Sequence, residues 1–423
     1  MIAEFKVKNF LSIGDELCLD FRVDPTKIDE FGDISEVPEM YYHEMKDGTR
    51  LWKTAMLCGP LSAGKTNILR ALRTFARLLS PADEDESDVT CVSPFAFHSK
   101  SSPETTDFSM TFYLLNTKYQ LCFSIDSQVV RSESLVMYID SGSVVVYDRK
   151  YNKKTGEVEV EFLEELMLDQ KNRQLILSHL SPSRTVMAAY VLSDAEHPLL
   201  TGIYYYLDLK IPNANMTPEV VNERLVATIG NKRMKSLKKF MLGVLSVFDM
   251  NIVDIKIRKS VEDIPDLVKN LFDALPDELK TEMDQQIAEE GTMALEDVFF
   301  VYKTAHRKYS QSVSNASTGT LRLLSLCILF YQLSLINTVT LINDIDEGLP
   351  PFIIDYLLRE FLEHNPDKAS QLIFTSHQNP FEGPLFAWRD ACWIVYKDEK
   401  AQTKLLPLTC KTFEEHYHWF HLK

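Results

Sequence analysis

The segment Gly59-Pro60-Leu61-Ser62-Ala63-Gly64-Lys65-Thr66 constrains this chain more than any other. It carries the spacing of a phosphate-binding P-loop, and its flanks agree with that reading. An apolar run, Leu51 to Leu57, precedes it as a short strand. From Thr66 to Leu79 the apolar residues Ile68, Leu69, Leu72, Phe75, Ala76 and Leu79 fall at helical spacing, and the helix is expected to stop before Ser80-Pro81. Gly59 and Gly64 let the backbone wrap so that its N–H groups face a phosphate. Lys65 is spaced to reach the β and γ phosphates, and the Thr66 hydroxyl to ligate Mg²⁺. The N-terminus of the helix adds its positive end. The expected nucleotide-binding set is Gly59, Ser62, Gly64, Lys65, Thr66 and Asn67.

Such a loop requires an acidic strand end nearby. Val339-Thr340-Leu341-Ile342 reads as a buried strand ending in Asn343-Asp344-Ile345-Asp346-Glu347. A carboxylate there would hold the Mg²⁺ shell, and a second would orient the attacking water. A further strand, Gln371 to Thr375, ends at Ser376-His377, which places His377 to meet a γ-phosphate. Upstream, Ser314 to Thr320 precedes a long apolar helix, Leu321 to Ile336. Ser and Gly at a helix start favour an anion.

Around these motifs the chain alternates at its start, with Phe5, Val7 and Phe10, then Leu17, Leu19 and Phe21, as two strands about a turn at Ser12 to Asp15. Residues 25 to 50 read as a loop, with an acidic loop at Asp83 to Glu86. A β-meander runs from Phe95 to Asp148, with a hairpin tip at Arg149 to Gly156. Residues 160 to 245 turn largely helical. Asn251 to Ile257 and Val298 to Tyr302 are strands, and Glu262 to Glu290 is an acidic helical insertion interrupted at Pro265 and Pro276. From there to the C-terminus helix and strand alternate, as in a wound α/β core. The expected division is 1–160, a lobe with the P-loop and meander; 161–250, mainly helical; 251–295, a strand with the acidic insertion; and 296–423, a second lobe.

Composition narrows the partners. The net charge of −16 opposes a non-specific nucleic-acid binder, whose affinity comes from neutralising phosphates. Lys232 to Lys239 is the best basic stripe, and it reads equally as the wet side of an amphipathic helix. Apolar runs such as Leu323 to Leu329 fall well short of the roughly 20 residues a bilayer requires, so no membrane is expected. Cysteines at 18, 58, 91, 122, 327, 392 and 410 form no close pair. That spacing suits buried packing residues and a cytoplasmic location rather than a disulfide framework or a zinc site.

Taken in order, these elements resemble the ABC-type ATPase heads of the SMC/RecF/OLD class. More narrowly, they resemble the compact AAA-type ATP-binding proteins of bacterial phage-defence and abortive-infection operons. FKVKNFLSIGDELCLDF is similar to that family's opening strand pair, CGPLSAGKTNILRAL to its Walker A segment and SNASTGTLRLLSL to its signature segment. TSHQNPF is similar to its switch histidine motif and WRDACWIVYKDE to its closing strand.

The resemblance implies an α/β fold: an ABC-type P-loop NTPase head with a β-meander first lobe, a wound α/β core and helical insertions. It implies ATP and Mg²⁺ as cofactors, with Thr66 and Asn343 as metal ligands and Asp344 and His377 as catalytic residues. Ser317 and Gly319 would touch the γ-phosphate held by another subunit, so that nucleotide is sandwiched in a homodimer or higher homo-oligomer. The family's strand end usually reads Asp-Glu-Ile-Asp. Aligned on Leu349-Pro350-Pro351, Asn343 stands for the Mg²⁺-linked Asp and Asp344 for the catalytic Glu, which separates binding from fast hydrolysis. The other register, with Asp346-Glu347 as the pair, would bury Asn343 and Asp344 within the strand at a cost. No nuclease pattern follows the core, so the resemblance implies a separately encoded effector, a nuclease or toxin, in anti-phage defence. A DNA-repair ATPase of RecF type clamping DNA, and a non-hydrolysing nucleotide-binding scaffold, are the alternatives.

Overall fold

The computed structural model describes the chain except at 25–36, 82–88, 90, 97–104, 141, 164–167, 208–217, 230–234, 249–250, 264–291, 366, 379–390 and 409–423. It divides into two compact units: Met1–Pro212 with Leu333–Lys423, and Asn213–Gln332.

The first unit is built on two sheets. Its core is a five-stranded sheet ordered β14 (Val339–Ile342), β15 (Gln371–Thr375), β5 (Thr54–Cys58), β16 (Cys392–Lys397), β17 (Thr403–Pro407). The first four strands are parallel, and β17 returns antiparallel on β16. Strands β5, β14 and β15 are buried along their whole length, as expected where a parallel strand is covered on both faces. The second sheet is antiparallel, in the order β10 (Val158–Phe162), β9 (Gly142–Tyr151), β8 (Val130–Ile139), β7 (Thr117–Ile125), β6 (Thr106–Leu114), β1 (Ile2–Lys8), β2 (Leu17–Asp20). The expected meander is therefore β6 to β9, with the N-terminal strand pair continuing its edge.

Helix α1, Lys65–Arg77, joins the sheets. Its Phe75 ring meets Phe5, Phe108 and Phe123 of the antiparallel sheet at centroid distances of 6.0, 6.4 and 5.1 Å. The same continuous core takes in Leu57, Leu341, Ile373 and Val395 of the parallel sheet. Helices α2 (Gln170–Ser178), α3 (Val186–Leu192) and α4 (Pro198–Leu207) follow the meander. Thr185 caps α3 by accepting from the Ala188 N–H, and its hydroxyl donates to the Leu78 carbonyl at the end of α1. Helix α8, Pro351–Glu363, begins with Pro at its first turn, where no N–H partner is lost, and buries Ile354, Leu357, Leu358 and Phe361.

The second unit contains a three-stranded antiparallel sheet, β11 (Ile252–Asp263), β12 (Thr292–Lys303) and β13 (Lys308–Ser312). Its helices are α5 (Pro218–Ile229), α6 (Lys235–Val247) and most of α7 (Thr318–Leu335). The α5 side chain of Asn222 donates to the Glu296 carbonyl and accepts from the Val298 N–H, standing in for a neighbouring strand where β13 does not reach. Of the basic stripe, residues 235 to 239 lie on α6, with Leu237 and Met241 buried beneath them and Lys238 paired to Asp254. Helix α7 is long and apolar enough to span a membrane by length and composition alone. Its leucines at 321, 323, 324 and 326 are buried, as in the core helix of a folded domain.

Several expectations change. Leu51 to Leu57 is two strands: β4, Arg50–Trp52, pairs in a small hairpin with β3, Tyr42–Glu44, and only β5 enters the core sheet. The break is Lys53, whose buried ammonium donates to the Asn365 carbonyl. Strand β3 also falls inside the expected 25–50 loop. Arg149 is not at a hairpin tip: β9 continues to Tyr151, and the Arg149 side chain is fully buried. Cys18 is exposed because it sits on the outward face of β2, while Cys58, Cys327 and Cys392 are buried as expected. The acidic loop at 83–86 and the insertion over 264–290 lie outside the described residues.

Candidate nucleotide site

The loop between β5 and α1 folds under tight steric control. Gly59 has φ +144°, and a Cβ there would lie 2.1 Å from the Val395 carbonyl oxygen. Gly64 has φ +108°, and a Cβ there would lie 2.0 Å from Thr403 Oγ1. Both positions therefore require glycine. Ser62 takes a left-handed φ of +60° between them. Gly64 also stands at the N-cap of α1, where it supplies no side-chain cap to the first N–H groups of the helix.

Lys65 is buried, and its Nζ donates to the carbonyls of Gly59 at 2.7 Å and Pro60 at 3.1 Å. Burial pushes its ammonium below the ordinary lysine value, opposed by the nearby charges of Asp344 and Asp346. The same Nζ lies 3.4 Å from His377 Nδ1. An ammonium only donates, so in a hydrogen bond here Nδ1 would be the acceptor; the ring's Nε2 is 3.4 Å from Asp344 Oδ1.

Thr66 Oγ1 donates to Asn343 Oδ1 at 3.0 Å. Asn343 lies one residue beyond β14, and its amide donates to Asp344 Oδ2 at 2.8 Å. Asp344 adopts φ +47°, a conformation that Asp tolerates better than most residues. Thr375, buried at the end of β15, holds it there. Thr375 Oγ1 accepts from the Asp344 N–H at 2.7 Å and donates to Asp344 Oδ1 at 2.9 Å, and its carbonyl accepts from the Ile345 N–H. Asp346 Oδ2 accepts from Ser376 Oγ and from the His377 N–H, both at 3.0 Å, so it braces the turn that carries His377. Its Oδ1 is buried with no hydrogen-bond partner among the described residues. Glu347 is exposed.

The structure thus brings together Gly59, Ser62, Gly64, Lys65, Thr66, Asn343, Asp344 and His377. Asn67 also joins the loop's surroundings: its Nδ2 donates to Ser12 Oγ at 2.7 Å. Ser317 and Gly319 lie in the second unit at the start of α7, where Ser317 Oγ accepts from the Thr320 N–H at 3.2 Å as an N-cap. The sequence reading did not single out Ser12, Thr375 or Thr403. Thr375 had a signal, being two residues before His377 on the same strand end. Thr403 had none.

A family model for an AAA domain, putative AbiEii toxin, Type IV TA system, matches residues 55–382. The chain belongs to this AAA-domain family. Three solved structures of SMC heads are similar over nearly the whole chain. An SmcHead bound to the C-winged helix domain of ScpA has 13% identity and a TM-score of 0.47, with 97% of this chain and 99% of that one covered. The SMC head domain from Thermotoga maritima has 12% identity and a TM-score of 0.40, with 96% and 98% covered. An Smc head domain with an extended coiled coil, bound to the C-terminal domain of ScpA derived from Pyrococcus furiosus, has 11% identity and a TM-score of 0.42, with 99% and 98% covered. No curated protein matches the chain.

The AAA domain begins at β5, so the matched span opens one strand before the P-loop and closes just beyond His377. The residues present fit a Mg²⁺-nucleotide. At both glycines a Cβ would strike the β16–β17 hairpin, so only glycine lets the loop follow this path around a phosphate. The Thr66 hydroxyl and Asn343 carboxamide offer hard oxygen donors of the kind Mg²⁺ takes.

Proposed function

We propose that this AAA-domain protein binds ATP with Mg²⁺ in the P-loop of its first unit and hydrolyses it slowly. The 3.0 Å bond between Thr66 and Asn343 carries the reading, because it joins the P-loop helix to the end of β14 where a P-loop enzyme holds its metal. Thr66 and Asn343 would hold Mg²⁺, which supplies charge neutralisation to the phosphates. Lys65 exchanges its loop carbonyls for phosphate oxygens, a short movement from bonds of 2.7 and 3.1 Å. Asp344 orients the attacking water and takes its proton, held by Thr375. His377 stands between Lys65 and Asp344, where a γ-phosphate would lie.

Slow turnover follows from the chemistry of the strand end. Asn343 keeps an oxygen acceptor but carries no charge, and Asp344 is one methylene shorter than Glu. In this reading two chains sandwich the nucleotide, Ser317 and Gly319 of one facing the P-loop of the other. The protein then acts as sensor or regulator of a separately encoded nuclease or toxin in anti-phage defence. The family description supports the defence setting. Phosphate release by the parent chain and by Lys65→Ala tests the enzymatic part. Turnover that Lys65→Ala abolishes supports it, and equal release by both chains overturns it. Light scattering with and without ATP tests the sandwich, and an unchanged mass would sink it.

A non-hydrolysing nucleotide-binding scaffold is the second reading, favoured by Asn343. It predicts tight ATP binding with no turnover above that of Lys65→Ala.

A further inference from the structure

The β16–β17 hairpin meets the P-loop at both ends. The Val395 carbonyl of β16 lies against Gly59, and Thr403 of β17 lies against Gly64. Thr403 Oγ1 donates to the Ala63 carbonyl at 2.9 Å and lies 2.7 Å from Ser12 Oγ. Ser12 sits in the β1–β2 turn, and its carbonyl accepts from the Thr403 N–H at 2.7 Å. Ser12 Oγ in turn accepts from Asn67 Nδ2 at 2.7 Å. Ser12, Thr403 and Ala63 are buried and Asn67 is half-buried.

Counting protons fixes the direction of the chain. A carbonyl cannot donate, so the single hydroxyl proton of Thr403 goes to Ala63. The Ser12 hydroxyl must therefore donate to Thr403 while accepting from Asn67. The order is Asn67 Nδ2–H to Ser12 Oγ–H to Thr403 Oγ1–H to the Ala63 carbonyl. Bonds running head to tail in this way polarise one another.

The last link sets the direction of a backbone donor. Ala63 C=O and Gly64 N–H belong to one planar trans peptide, in which the two groups point opposite ways. Holding the carbonyl toward Thr403 turns the Gly64 N–H away from it, into the loop. We propose that Ser12 and Thr403 form a hydroxyl clamp that positions the P-loop peptide 63–64 for phosphate, making Thr403 a positioning residue for the nucleotide. Gly64 at φ +108° has the conformational freedom to let this peptide rotate once the carbonyl is released. The clamp rests on the nucleotide-binding reading of the loop.

The test is equilibrium binding of a fluorescent ATP analogue to the full chain, read beside the melting temperature without nucleotide. Thr403→Val removes the hydroxyl at nearly constant shape, and it is expected to weaken binding about tenfold, the effect of losing one such bond. Thr403→Ser restores the hydroxyl and is expected to bind within about threefold of the parent. Ser12→Ala breaks the chain at another link. Ser12→Ala with Thr403→Val is expected to weaken binding no more than Thr403→Val alone, since both act through one carbonyl. Parent-like binding by Thr403→Val, with Lys65→Ala inactive in the same assay, overturns the clamp and leaves nucleotide binding standing. Parent-like binding by Lys65→Ala overturns the reading of the loop itself and the clamp with it. If Thr403→Val melts well below the parent, Ser12→Ala and Thr403→Ser decide: equal binding by these two overturns the proposal.

Discussion

Thr66 Oγ1 and Asn343 Oδ1 are 3.0 Å apart, joining the first turn of α1 to the end of β14 across 277 residues of sequence. In the bond Asn343 accepts as a carboxylate would, yet it brings no charge. A divalent cation at this pair meets one negative charge fewer than an aspartate would supply.

Asn343→Asp is therefore expected to raise both metal affinity and turnover. A charge-assisted contact exceeds a neutral one by roughly 1–1.5 kcal/mol, which is about tenfold. The half-saturating Mg²⁺ concentration for phosphate release should fall by about that factor. An unchanged Mg²⁺ dependence would remove Asn343 from the metal's surroundings.

Thr375 separates binding from turnover. Its hydroxyl touches the Asp344 N–H and carboxylate at 2.7 and 2.9 Å and Asn343 Oδ1 more loosely at 3.3 Å, but none of the P-loop residues. Thr375→Val should lower kcat roughly tenfold or more and leave the nucleotide Kd near the parent value. A change in Kd with kcat intact would contradict the assignment of Asp344 as the group that acts on water.

Phe75 joins α1 to the antiparallel sheet through three aromatic contacts. Phe75→Ala should cost roughly 3–5 kcal/mol of stability, measured by denaturant unfolding. A loss below about 1 kcal/mol would show that the core collapses onto the vacated ring position.

The break between β4 and β5 has a pH signature. Burial pushes the Lys53 ammonium down to about 8 from its ordinary 10.5, with Asp367 opposing. Between these values the unfolded chain holds more protons than the folded one, so this group's contribution to stability rises with pH across that window. Below about 8 both states are protonated, and the full cost of the buried charge remains. Lys53→Met removes the group, so its stability advantage over the parent should shrink from pH 8 to pH 10.5. Equal pH profiles for the two chains would show that Lys53 keeps an ordinary pKa.

The P-loop, the strand before it and the helix after it were legible because their residues are contiguous. Gly59, Gly64, Lys65 and Thr66 sit in one octet, and the apolar spacing from Ile68 to Ala76 declares its own helix. Asn343 and His377 were legible for a related reason, each lying just past a wholly apolar strand. Asn343 meets Thr66, while Asp346 accepts from the backbone N–H of His377. Lys53 read as part of one continuous strand and Arg149 as the start of a hairpin tip because their burial depends on distant carbonyls: Asn365 for one, Val130, Ser181 and Pro182 for the other. A charged residue in a local window reads as exposed unless its partners are known.

By itself the sequence determined that this chain carries the P-loop spacing on an α/β core and which residues make up that loop. That information is local, written in spacing and in the φ freedom of two glycines. Only the tertiary structure decided how the loop is held. Thr403 lies 340 residues from Ala63 and Thr375 lies 31 from Asp344. The Thr403 hydroxyl has no periodicity or motif of its own, and Thr375 is marked only by its place two residues before His377. Their bonds arise only once the parallel sheet sets β15 and β16 beside β5, with β17 returning on β16, because strand order is fixed by long-range packing rather than by neighbours in the chain.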